Sequence, residues 1–79
     1  MNRQQLEGDL VCELASILGQ GIGPDDDLLF EGGLDSFGIM QVVAYLEETY
    51  RIRVPEDVFA RDNFRNVSTI AAWVLPLER

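Results

Sequence analysis

Histidine and lysine are absent from this chain, and cysteine occurs once. Each absence removes a class of chemistry. Without an imidazole or a side-chain amine, no nucleophilic serine or cysteine has its usual base within the chain. A single thiol with no imidazole cannot build a zinc site. The lone Cys12 cannot close an internal disulfide either, which agrees with a reducing compartment. Apolar residues make up 47% of the chain, yet they never run long enough to span a bilayer. The start also lacks the basic-then-apolar pattern of a secretory signal. The expected location is cytoplasmic, with no membrane partner. Positive charge is scarce as well: six arginines against fourteen acidic residues give a formal net charge of −8. That balance keeps a small protein soluble, disfavours nucleic acid as a partner, and favours partners with basic patches.

What remains is enough for one domain, expected to span residues 1–79. Leu6, Leu10, Leu14, Ile17 and Leu18 recur at three- and four-residue spacing, with Val11 flanking them, and predict a helix over 3–18. Asn2 suits its N-cap, with Gln5 in the capping-box position, and Gly19 ends it. Cys12 falls off the leucine stripe and reads as an inert surface or boundary residue.

Residues 19–35 form a connection longer than most, a length usually found in functional loops or loops packed by their own side chains. Leu28, Leu29, Phe30 and Leu34 are expected to dock it on the helices. Asp25, Asp26 and Asp27 do not present ligands at calcium-loop spacing, and neither the turn glycine nor the closing glutamate follows. They read as a solvated acidic turn opening a short helical piece, and no metal site is expected.

The clearest helix covers 36–51. One face carries Ile39, Val42, Val43, Leu46 and Tyr50, a core stripe. The other carries Ser36, Phe37, Met40, Gln41, Ala44, Glu47, Glu48 and Arg51. Phe37 and Met40 there stand among polar and acidic neighbours, the pattern of a binding surface. An extended link through Ile52, Val54 and Pro55 follows. A short third helix is expected from Glu56 to about Asp62 with Val58 and Phe59 inward. Asn66 caps a last helix in which Val67, Ile70, Ala71 and Val74 share a face, Trp73 packs beside them, and Pro76 stops it. The fold class is all-α: a small four-helix bundle of three main helices and one short helix, with a long loop between the first two.

At the junction of loop and second helix stands Gly33-Leu34-Asp35-Ser36-Phe37-Gly38. The nucleophile-elbow pattern Gly-x-Ser-x-Gly fails, because Leu34 occupies the position two before Ser36. The chain therefore reads as not an enzyme, with no catalytic residues. Either Asp35 or Ser36 can cap the helix. With Asp35 as the cap, the Ser36 hydroxyl is free to point outward, where the helix N-terminus favours an attached phosphate.

These residues resemble the attachment motif of the acyl and peptidyl carrier protein family, the phosphopantetheine-attachment domain. The motif is Leu34-Asp35-Ser36 followed by a helix with apolar residues at 37 and 40. Asp27-Leu28 and Phe30-Glu31-Gly32-Gly33 are similar to the loop that leads into it. "LEETYRIRVPEDVF" resembles the end of the family's second helix and its entry to the third, and "NFRNVSTIAAWV" its final helix. The resemblance implies that a phosphopantetheinyl transferase attaches 4′-phosphopantetheine to Ser36, using magnesium and coenzyme A, with Asp35 helping to position that reaction. The thiol of the arm then carries acyl or aminoacyl groups as thioesters. It further implies docking through Phe37, Met40, Gln41 and Ala44, with Glu47 and Glu48 meeting basic residues on loading and synthase enzymes.

Several positions depart from the family pattern. Phe37 stands where leucine is common, Gly38 replaces a frequent acidic residue, Gln41 removes a further charge, and Arg51 and Arg53 add positive charge beyond. The expectation is a free-standing, monomeric carrier in polyketide or mixed polyketide–peptide (secondary metabolite) biosynthesis. The rivals are a housekeeping fatty-acid carrier, an aminoacyl or D-alanyl carrier and, more remotely, a helical interaction module that is never modified.

Overall fold

The computed structural model describes residues 2–77; Met1, Glu78 and Arg79, the outermost residues of the expected domain, lie outside the described residues. Three α-helices occur in order: α1 (Arg3–Leu18), α2 (Ser36–Tyr50) and α3 (Val67–Val74). Among the described residues there is no strand, and no helix is long and apolar enough to cross a membrane.

All three helices start by the same device. Asn2, Asp35 and Asn66 each hold an extended backbone, and each side-chain oxygen accepts the N–H three residues on, from Gln5, Gly38 and Thr69, at 2.7–2.8 Å. Each cap satisfies one amide that helix geometry leaves without a partner and adds about 1 kcal/mol. Burial does more. Leu6, Leu10 and Leu14 of α1, Val42 and Leu46 of α2, and Val67, Ile70 and Val74 of α3 are fully enclosed. Each such side chain contributes about 1.5–3 kcal/mol, so the core dominates the caps. The helix α1 packs against both α2 and α3. It is pinned to α2 by the Tyr50 hydroxyl, which donates to Asp9 at 2.6 Å, and to the start of α3 by Arg3, which donates to the Ser68 carbonyl at 2.9 Å.

The long loop is structured by its own residues. Asp27 accepts N–H groups from Leu29, Phe30 and Glu31, winding the chain into one turn. Partial burial pushes the Asp27 carboxyl up, but the amides of Phe30, Glu31 and Leu29 together outweigh it and hold the carboxyl below its usual range. This turn sends Leu28 and Leu29 into the core and Phe30 outward, where it is 85% exposed. Phe30 therefore does not dock the loop as expected. The anchors are Leu28, Leu29 and Leu34, reinforced by the Leu28 N–H on the Arg65 carbonyl and the Leu34 N–H on the Leu28 carbonyl, both 2.8 Å. Gly32 is required by this closure, since a Cβ there would stand 2.8 Å from the Leu28 carbonyl oxygen.

The expected short helix over 56–62 is replaced by two 3₁₀ turns, Glu56–Val58 and Arg61–Phe64, separated by an extended Ala60. The extended Ala60 interrupts any helical run, and the Asn63 side-chain amide ties the two turns together by donating to the Val58 carbonyl at 3.0 Å. Phe59 is accordingly exposed, and the aromatic that enters the core is Phe64. Trp73 packs edge-on against Phe64 with centroids 5.4 Å apart and donates its indole N–H to the Asn63 carbonyl at 2.9 Å. The α-helical part of α3 ends at Val74, and Pro76 sits within a closing 3₁₀ turn, Leu75–Leu77. The second helix ends at Tyr50, one residue before the expected end, because Arg51 takes the left-handed conformation with φ 56°.

Candidate functional site

The cap of α2 decides the state of Ser36. Because Asp35 is the N-cap, Ser36 is the first helical residue, and it is exposed. Its hydroxyl has no hydrogen-bond partner among the described residues. Asp35 Oδ1 is engaged by the Gly38 N–H at 2.8 Å, so this neighbouring carboxylate serves the helix start. The Asp35 carbonyl receives the Ile39 N–H at 2.9 Å. Among the described residues the amides of Ser36 and Phe37 have no backbone partner, as expected for a first turn. Two free N–H donors and the positive end of α2 beside an exposed hydroxyl suit a phosphate ester on that oxygen.

Around Ser36, the structure brings the expected docking residues onto one surface. Phe37 is 73% exposed and Met40 57%, and Gln41, Ala44 and Glu48 are also exposed. Two large apolar side chains are thus held in water on one helix face, next to Ser36. Glu47 differs from its neighbour: it is half-buried, and its carboxylate accepts the Val54 N–H at 2.9 Å. The opposite face of α2, with Ile39, Val42, Val43 and Leu46, is buried as expected. Tyr50 at its end is only partly buried, with its hydroxyl on Asp9.

Gly38 gains a physical account. It is buried, and a Cβ there would lie 2.6 Å from Leu34 Cδ1, 3.5 Å from Asp35 Oδ1 and 3.6 Å from Ile17 Cγ2. Leu34, which anchors the loop, occupies the room a side chain would need. Ile17 and Leu18, on the expected core stripe of α1, pack against the core but are only half-buried, and they line a cleft together with Asp35 and Phe37. The signal available was their place at the last turn of α1, where a core stripe runs out. No three carboxylates or thiols converge as a metal site among the described residues.

The structure thus sets an exposed serine, with no base beside it in the chain, at a helix start next to exposed apolar side chains. Over residues 8–74 the chain matches the family described as the phosphopantetheine attachment site, and it belongs to that family. It is thus a carrier protein whose covalent cofactor is 4′-phosphopantetheine. Its relatives include the D-alanyl carrier proteins of Streptococcus pyogenes serotype M5 (strain Manfredo) and serotype M49 (strain NZ131). Each is 39% identical over 54 residues, which cover 68% of this chain and 68% of theirs. Carriers of this kind are modified by phosphopantetheinyl transferases and served by acyl-loading enzymes.

Proposed function

We propose that Ser36 holds the phosphopantetheine and that α2 presents it to partner enzymes. The observation that carries this reading is the exposed Ser36 hydroxyl on the first residue of α2, freed by the Asp35 cap. The Ser36 oxygen attacks the pantetheine-bearing phosphorus of coenzyme A, the pyrophosphate P–O bond breaks and 3′-phosphoadenosine 5′-phosphate leaves; a base on the transferase takes the serine proton, since the chain has no histidine or lysine to do so. Once attached, the group supplies a thiol that holds acyl or aminoacyl cargo as a thioester. Phe37, Met40, Gln41 and Ala44 form the neutral, largely apolar centre of the docking face, and Glu48 its acidic rim. Rim charge mainly speeds encounter and is screened by salt, which suits a carrier that must leave each enzyme again.

The test is incubation with a broad-specificity transferase and coenzyme A, followed by intact-mass measurement. One phosphopantetheine is expected on the wild type and none on Ser36→Ala. An unchanged wild-type mass, or modification that persists in Ser36→Ala, defeats the assignment.

For the cargo, we favour a polyketide or mixed polyketide–peptide intermediate. What supports it is a docking face with a neutral centre, a single free glutamate and Arg51 and Arg53 beyond. The relatives support a second reading, an aminoacyl cargo such as D-alanine. Loading of the holo protein from malonyl-coenzyme A by an acyltransferase, or from D-alanine and ATP by a ligase, separates them through the mass of the thioester formed.

A further inference from the structure

Beside Ser36 lies a cleft of about 250 Å³ between the last turn of α1 and the first turns of α2. Its walls include Ile17, Leu18, Phe37 and Gln41, and Asp35 and Gly38 also line it. Asp35 and Phe37, the two chain neighbours of Ser36, both belong to its lining. Ser36 itself is not part of the lining, so an arm tethered to its oxygen reaches the cleft by turning back past one of these neighbours. The missing side chain of Gly38 is directed at three lining residues, Leu34, Asp35 and Ile17, so a larger residue would crowd this end of the cleft.

We infer that this cleft is a resting subsite for the inner part of the phosphopantetheine arm, on the α1 side of α2. This rests on Ser36 being the attachment residue. The chemistry matches along the arm. Its geminal methyl groups need apolar cover, which Ile17, Leu18 and Phe37 provide. Its amide groups need a donor and an acceptor, and the exposed Gln41 amide offers both. Size sets how much enters. The cleft is smaller than the roughly 300–1,000 Å³ of pockets that enclose drug-sized ligands, so the thiol end stays outside and accessible. Gly38 and Gln41, two departures from the family pattern, thereby act together: one lets Leu34, a wall of the cleft, pack against α2, and the other supplies its polar contact.

The experiment uses holo protein labelled with carbon-13 and nitrogen-15, carrying an unlabelled arm, after mass measurement has shown that Ser36 is modified. Isotope-filtered NOEs are expected from the arm's methyl groups to the Ile17 and Leu18 methyls. Amide shifts between apo and holo forms are expected at Ile17, Leu18 and Gln41. In Gly38→Ala these holo-minus-apo shifts should fall at least twofold, with the dispersion of the apo spectrum reporting that the variant is folded. Should that variant unfold, the wild-type NOEs decide alone. Modified protein whose shifts stay confined to Asp35, Ser36 and Phe37, with no NOE to α1, overturns the subsite while leaving the attachment reading intact. Absence of modification defeats the attachment reading itself, and the subsite with it.

Discussion

Glu47 accepts the Val54 backbone N–H at 2.9 Å, while Glu48, the next residue, stands exposed. Two adjacent glutamates on one helix thus have different work. Glu47→Ala is expected to lower stability by about 1 kcal/mol, less than the roughly 1.5–3 kcal/mol of a hydrogen bond to a charged group because the carboxylate is half-exposed. Glu48→Gln should leave stability within about 0.5 kcal/mol and reduce the salt sensitivity of transferase kinetics. Urea titrations and kcat/KM against ionic strength measure the two effects.

Phe37 and Met40 lie in water, so replacing them removes docking surface without opening the core. Phe37→Glu and Met40→Glu should each lower the kcat/KM of the cognate loading enzyme by about tenfold, the effect of losing one central interface anchor. Circular dichroism should be unchanged. Normal loading kinetics in both variants would remove this face from the docking reaction.

Tyr50 joins α2 to Asp9 of α1. Burial, then the hydrogen bond to Asp9, pushes its phenol well above the usual tyrosine value. The folded state therefore favours the protonated phenol. Its contribution is complete below about pH 10, the unfolded value, and is lost as pH rises above it. Tyr50→Phe should cost about 1 kcal/mol at neutral pH and flatten the loss of stability above about pH 10. Thermal melts at stepped alkaline pH check the sign.

Phe64, the last residue of the second 3₁₀ turn, is fully buried and packs against Trp73. Phe64→Ala should cost about 3–5 kcal/mol, a large share of the stability of so small a domain. Phe64→Leu, which restores most of the volume, should cost about 1.5 kcal/mol or less. Denaturant midpoints and near-ultraviolet signals from Trp73 report both.

Arg51 ends α2 with a left-handed backbone that glycine adopts without strain. Arg51→Gly should raise stability by about 0.5–1 kcal/mol, since the strain of this conformation in a residue with a Cβ is about 1–2 kcal/mol and glycine's extra unfolded-state entropy offsets part of the gain. A higher urea midpoint is the expected result.

Local chemistry made much of this molecule readable. Asn2, Asp35 and Asn66 precede regular apolar spacing, and both the cap and the stripe act within a few residues, so helix positions and inner faces follow from neighbours in the chain. The motif around Ser36 is likewise a run of neighbours, so its position at the head of α2 was legible for the same reason. Phe30 and Phe59 show where such reasoning stops. Both are large and apolar, but the Asp27 turn directs one outward, and the extended Ala60 breaks the helix that would have buried the other.

The chain by itself therefore determined the three helices, the caps of the first and last, most of the buried faces and the serine at the head of α2, because short-range spacing and capping dictate them. The tertiary structure alone decided which aromatic fills the core, why position 38 has no side chain, which glutamate is free, and that Ile17 and Leu18 wall a cleft beside Ser36. Those outcomes depend on contacts such as Leu34 against Gly38 and Glu47 against Val54, which exist only once the loop has closed over the helices and the link has folded back.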